Sequence, residues 1–208
     1  MKVLLINGSP KANGCTYTAL CEVSKELENE KIQTEIFHVG NKPIGGCIAC
    51  GSCSRTNSGK CVFNDDTVNI ALEKAKDVDA FVFGSPVHYA GASGLITSFL
   101  DRFFYAGDGF QYKPGAAIVS CRRGGATAAF EQLNKYFTIS NMPIVSSQYW
   151  NMVHGSTPEE VKQDLEGMQT MRTLGKNMAW LLKSIQAGKE AGVTLPEKEP
   201  RAITNFIR

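Results

Sequence analysis

Apolar positions fall into short continuous runs separated by stretches with helical spacing. Val3-Leu4-Leu5-Ile6 is unbroken, as expected of a strand buried on both faces. A Gly/Ser/Pro/Asn segment follows from Gly8 to Gly14. A helix is then predicted to start near Cys15-Thr16, turning Tyr17, Leu20, Val23, Ser24 and Leu27 to one face. Ile32 to Val39 alternates and reads as a second strand. Asp65-Asp66-Thr67 opens a helix with acidic residues in its first turn, where the dipole favours them, and brings Val68, Ala71, Leu72 and Ala75 inward. Ala80-Phe81-Val82-Phe83 is the third strand, followed by a helix over Gly94–Arg102. Gly115 to Cys121 is the fourth, followed by a helix from Ala126 to about Phe137. Pro143 to Tyr149 supplies the fifth strand. Pro158 then begins a long helix running toward Gln186, with proline in the first turn where its missing N–H is harmless.

Strand and helix alternate five times. That order predicts an α/β fold, a doubly wound parallel five-stranded sheet with right-handed crossovers and helices on both faces. No internal repeat is present, and residues 1–187 read as one domain with a cysteine-rich loop over 43–64. The Pro- and charge-rich end, 188–208, reads as an extended tail.

Composition narrows the class. Of 208 residues, 43% are hydrophobic and 20% charged, a balance that supports a full core. A net charge of +2 is too small to make nucleic acid or an anionic membrane the main partner. No segment reaches the ~18 apolar residues of a spanning helix. The first apolar run stops at Asn7-Gly8-Ser9, too short for a signal peptide, so a cytoplasmic protein is expected. Seven cysteines, an odd number, argue in that compartment against a disulfide framework.

In a doubly wound sheet, ligands bind at the carboxyl ends of the strands. Three loops rich in glycine and small polar residues fall there: Gly8–Thr16, Gly84–Gly94 and Cys121–Gly125. The first enters a helix N-terminus, whose unpaired amides and dipole suit a phosphate. Ser9 and Thr16 hydroxyls and the Asn13 amide can donate to phosphate oxygens, and Lys11 supplies charge. The loop matches neither G-x-G-x-x-G nor G-x-x-x-x-G-K-[ST], which favours a monophosphate over a dinucleotide or a triphosphate. The alternative is an ordinary βα turn. In the second loop, Pro86 fixes the chain and the amides after it can face a planar ring, with His88 or Tyr89 beside it; alternatively Tyr89 packs on the next helix and His88 is solvated. In the third, Arg122, Arg123 and Gly124 offer flexibility and positive charge, with solvated arginines as the alternative.

Cys47-x2-Cys50-x2-Cys53-x7-Cys61 is a compact run whose thiolates suit a [4Fe–4S] cluster. Gly45, Gly46, Gly51 and Gly59 permit the tight folding that ligation needs. Zinc is the first competitor, since four sulfurs satisfy its tetrahedral preference. The other is that the thiols hold nothing stable. Cys15, Cys21 and Cys121 are not expected to be ligands: Cys21 is expected in the core, and the helix end can lower the pKa of Cys15.

GSPKANGCT, GSPVHYAGASG and the final TNFIR resemble the NADPH-dependent FMN reductase-like flavoproteins, specifically their iron–sulfur flavoprotein branch, in the same order over nearly the whole chain. The resemblance implies a three-layer flavodoxin-like fold, strand order 2-1-3-4-5, and FMN. Ser9, Lys11, Asn13 and Thr16 match the phosphate loop, and Pro86, Val87, His88, Tyr89 and Gly91 the ring-binding loop. Cys15 stands where many relatives have asparagine. The resemblance also places a compact cysteine motif after the second strand.

The expected function is FMN-dependent oxidoreduction. Electrons would come from NAD(P)H or ferredoxin and pass to a quinone, free flavin, a nitro or azo compound, or an oxygen species, with a cluster exchanging single electrons. The flavin does the chemistry, so no catalytic side chain is assigned. A cluster-free NAD(P)H:FMN or quinone reductase and a flavodoxin-type carrier are the rivals. A homodimer or homotetramer is expected, because such flavin sites are often completed by a neighbouring subunit.

Overall fold

The computed structural model describes residues 1–200, 202–204 and 206; Asn205, Ile207 and Arg208 of the TNFIR segment lie outside the described residues. Five parallel strands form the main sheet in the order β2-β1-β3-β5-β6: β1 (Lys2–Asn7), β2 (Gln33–His38), β3 (Ala80–His88), β5 (Gly115–Cys121) and β6 (Met152–His154). A two-residue strand, β4 (Gly91–Ala92), folds back antiparallel on β3. The path is the expected 2-1-3-4-5 with this extra strand counted.

Alternation along the central strands explains their continuous apolar runs. Val3, Leu5, Ala80, Val82, Ala116 and Ile118 face one layer, packing on α1 (Cys15–Asn29), α6 (Pro158–Gln163) and α7 (Leu165–Glu190). Leu4, Ile6, Phe81, Phe83, Ala117 and Val119 face the other, under α3 (Val68–Lys74), α4 (Gly94–Ala106) and α5 (Ala126–Ile139). A strand covered on both sides has no polar face, so it reads as a block rather than an alternation.

Four elements differ from the sequence reading. The fifth strand is Met152–His154, not Pro143–Tyr149. The earlier segment meets the sheet only at the Gly115–Ile144 bridge, then leaves it. Ser147 Oγ donates to the Thr170 carbonyl and Asn177 to that of Ser146, fastening the segment to α7. The buried Asn151 amide meanwhile donates to the Ala117 carbonyl at 3.0 Å, satisfying by side chain a sheet acceptor left without a strand partner. The long C-terminal helix is two helices. Asp164 has ψ of 80° and its carboxylate accepts the Gly167 N–H at 2.9 Å, capping α7; α7 continues to Glu190. Asp65 and Asp66 precede α3 rather than occupying its first turn, and Asp66 accepts the Val68 N–H at 3.0 Å. On α1, Thr16 and Ala19 are buried while Tyr17 is only half-buried.

Candidate functional site at the strand tips

β1 ends at Asn7, fully buried yet polar. Its Oδ1 accepts the Ser9 N–H at 3.1 Å and its amide donates to the Ala12 carbonyl at 2.9 Å, so one side chain shapes the first loop from inside. Ser9 Oγ accepts the Lys11 N–H, and His38 Nε2 at the end of β2 lies 2.8 Å from the Ser9 carbonyl. The loop then enters α1 through Gly14, with no side-chain cap. The first-turn amides of α1 therefore lack an intrahelical or capping partner. α5 likewise starts from a glycine, Gly125, without a cap, whereas Ser93, Thr157 and Asp164 cap α4, α6 and α7.

Buried hydrogen bonds join the first loop to the second. Gly8 N–H donates to the Gly84 carbonyl at 2.9 Å, and Ser93 Oγ donates to the Gly8 carbonyl at 3.0 Å. The Ser93 N–H reaches Ser85 Oγ at 3.1 Å. A Cβ on Gly8 would stand 2.7 Å from Ile96, so only glycine allows this approach. β3 runs through Pro86 to His88. The proline is tolerated because its pairing with β1 has ended at Gly84 and that with β5 ends at Pro86 itself.

Tyr89 then makes the turn into β4 with φ +61° and its side chain fully exposed. A bulky residue there is an outlier, and its ring has no packing partner among the described residues. It therefore does not pack on the following helix. His88 is exposed and lines an open groove of about 450 Å³ with Pro10, Ile44, Leu95 and Ser98.

The third loop meets the second through Gly125, whose φ is +89° and whose added Cβ would lie 2.9 Å from Val87, and nears the first through Gly155. Cys121 accepts the Gly155 N–H at 3.0 Å, and the Cys15 thiol donates to the Gly155 carbonyl at 3.6 Å. All three loops thus share one edge.

Individual side chains divide differently. Lys11, Asn13, Arg122 and Arg123 are exposed around that edge, as is Gly124. Thr16 is turned inward, its hydroxyl 2.8 Å from that of Ser120 on β5. The expectation of a lowered Cys15 pKa is overturned: burial pushes the thiol up, outweighing the amide and Lys11 that favour the thiolate. Cys21 is half-buried rather than core.

The four motif cysteines line a single cavity of about 210 Å³ with Val62, Phe63, Arg102 and Tyr105. Ala49, Gly51, Asn57 and Gly59 all have positive φ there, bending the chain around the five-residue helix α2 (Ser52–Thr56). Among the described residues, no three His, Cys, Asp or Glu side chains stand close enough to hold a single metal ion. Arg102, from the inner face of α4, is 1% exposed. Its Nε donates to Cys61 Sγ at 3.2 Å, while Nη1 and Nη2 donate to the Asp66 carboxylate. Burial works against the guanidinium charge, but these bonds outweigh it and hold the group above its ordinary range.

Sequence reasoning missed Asn7, His38, Ser93 and Arg102. An asparagine ending an apolar strand just before Gly8 was the available signal for the first.

The sheet order, the ligand edge and the two helical layers define a flavodoxin-like protein. In its comparison with known proteins, the chain aligns over 88% of its length with a solved archaeal flavodoxin, covering 99% of it at TM-score 0.60 and 15% identity. The NADPH-dependent FMN reductase family matches residues 1–157, and the chain belongs to that family. It is 33% identical over 195 residues to an iron-sulfur flavoprotein of Methanocaldococcus jannaschii, covering 89% of this chain and all of the relative. An FMN-dependent NADPH-azoreductase of Staphylococcus saprophyticus is 32% identical over 119 residues, 57% of this chain and 59% of the relative. No helix among the described residues is long and apolar enough to cross a membrane.

Proposed function

We propose that this chain is an FMN-dependent oxidoreductase that takes electrons from NAD(P)H or ferredoxin and delivers them to a small acceptor, with a [4Fe–4S] cluster on Cys47, Cys50, Cys53 and Cys61. The observation that carries the reading is the convergence of three strand-tip loops on one edge, the first two joined by buried bonds and the third packed on the second at Gly125, with two uncapped helix starts, α1 and α5, among them. The donor set fits FMN: unpaired amides and the Ser9 hydroxyl for a phosphate, with Lys11 as counter-charge. Pro86, Val87, His88, Tyr89 and Gly91 would border the ring, with Arg122, Arg123 and Gly124 across from them. Cys15 offers its backbone amide, since its thiol is turned to Gly155.

When bound, FMN supplies the exchange between two-electron and one-electron chemistry. The chain's own groups bind it, hold positive charge at the third loop and keep the sheet edge rigid. Quinones, free flavin, nitro or azo compounds and oxygen species are the acceptor classes. The azoreductase relative supports the azo class.

The cysteine donor set fits a cluster better than zinc. At about 2.3 Å per Zn–S bond, zinc draws its sulfurs within about 4 Å of one another. A four-iron cluster places its own atoms between its thiolates, so sulfurs that do not converge on one ion still suit it. The groove beside His88 and the cysteine cavity both lie along α4, from Leu95 to Arg102, a separation on the order of 10 Å. That is short for single-electron exchange. The reading includes a homodimer or homotetramer, with the exposed Tyr149 and Trp150 available to complete a neighbour's site.

Anaerobic mixing with NADPH tests the enzyme assignment. Rapid bleaching of the flavin band is expected. Bleaching only by reduced ferredoxin would identify ferredoxin as the donor, and no transfer from the reduced protein to any acceptor class would leave a flavodoxin-type carrier.

A further inference from the structure

A buried guanidinium needs a use for each of its five N–H groups, because burying the charge is costly and any group left over adds to that cost. Arg102 accounts for all five. Nη1 donates to the Gly45 carbonyl at 3.2 Å and to Asp66; Nη2 donates to the Phe63 carbonyl at 3.3 Å and to Asp66 Oδ1 at 3.2 Å. The single Nε proton goes to Cys61 Sγ at 3.2 Å. The Phe63 ring lies 5.0 Å from the guanidinium carbon. Gly45 precedes the first motif cysteine, and Cys61, Phe63 and Asp66 close the loop, so one side chain gathers both of its ends. Asp66 already balances the charge, and the bond to sulfur is additional to that balance.

We propose that Arg102 is the positioning residue of the cysteine centre: it closes the 45–66 loop around the cavity and, through its Nε–H, donates to the Cys61 sulfur so as to raise the reduction potential of the cluster held there. A donor aimed at a ligand sulfur withdraws electron density and favours the reduced centre. The second half rests on the cluster reading above; the first does not.

Arg102→Lys keeps the positive charge and removes the Nε–H. In anaerobically purified, iron-loaded protein, the reduced-to-oxidised ratio of the cluster at a fixed potential is expected to fall about tenfold, a negative shift of about 59 mV for one electron. The flavin-to-protein ratio should stay unchanged. Arg55→Lys, altering the exposed arginine that donates to the Cys50 carbonyl, should leave the potential in place. An unchanged potential in iron-loaded Arg102→Lys, or an equal shift in Arg55→Lys, overturns the sulfur role.

Should Arg102→Lys fail to fold, Asp66→Asn keeps the Nε–H and removes the compensating charge. It is expected to shift the potential positive, and no shift overturns the proposal. If wild-type protein binds FMN but no iron, the cluster reading fails and the potential claim with it. Amide exchange across 45–66 in the flavin-loaded protein then decides the first half. Faster exchange in Arg102→Lys supports loop closure, and unchanged exchange contradicts it.

Discussion

The Ser93 hydroxyl, fully buried, donates to the Gly8 carbonyl at 3.0 Å and so locks the loop after β1 to the loop after β3. The same oxygen accepts the Ile96 N–H at 3.3 Å and caps α4. Ser93→Ala removes a cap and orphans a buried carbonyl at once. The expected cost is about 2 kcal/mol in unfolding free energy, measured by urea titration, with weaker FMN binding in the same protein. A loss below a few tenths would show that the two loops are held by other means.

Asn7 donates to the Ala12 carbonyl and accepts the Ser9 N–H, so an aspartate there keeps the second bond and loses the first. It also brings negative charge beneath a phosphate site. Asn7→Asp is expected to weaken FMN binding at least tenfold, about 1.4 kcal/mol, by calorimetric titration. Unaltered affinity would place the phosphate elsewhere.

Adjacent glycines in the third loop separate backbone demand from mere flexibility. Gly125 has φ +89° and a Cβ there would press on Val87, whereas a Cβ on Gly124 meets nothing within 4 Å. Gly125→Ala is expected to cost about 1–2 kcal/mol and to lower flavin occupancy. Gly124→Ala should be nearly silent in thermal melts.

Glu35 on β2 sits between Lys2 of β1, at 2.8 Å, and Lys74 of α3, at 2.5 Å. Hydrogen bonds from these lysines hold its carboxyl below the usual range despite partial burial. A folded-state pKa below the unfolded value stabilises the protein above pH ~4.3, and that stabilisation fades as pH falls through the folded value. Glu35→Gln should therefore lose up to about 1 kcal/mol at pH 7, and the gap should narrow as pH falls below about 4, read from urea midpoints at several pH values. A constant gap across that range would assign the effect to packing.

The central strands were legible because burial on two faces leaves an apolar block that no surface element produces. Met152–His154 was not: three residues carry no period, and the longer apolar neighbours Ile144 and Val145 drew the assignment upstream. What removes that segment from the sheet is side-chain bonding to α7 and the Asn151 amide, which hydrophobic pattern does not encode. Asp164 interrupts a helix-compatible pattern by capping, and only its downstream Gly167 hints at it.

Within the site, the three glycine-rich loops could be placed by strand order alone. Their ties through Ser93, Asn7 and Gly155 required the fold. Thr16 has a hydroxyl suited to phosphate, yet it is directed to Ser120, a partner 104 residues distant in sequence. Arg102 sits inside an amphipathic helix and looks in sequence like one more surface charge.

Titration of flavin-free, folded protein with FMN, followed by calorimetry and by the visible spectrum, tests the central claim most directly. One FMN per chain should bind, with perturbed flavin absorbance and weaker binding in Asn7→Asp. Folded protein that gives no binding heat and stays colourless in excess FMN would contradict the account.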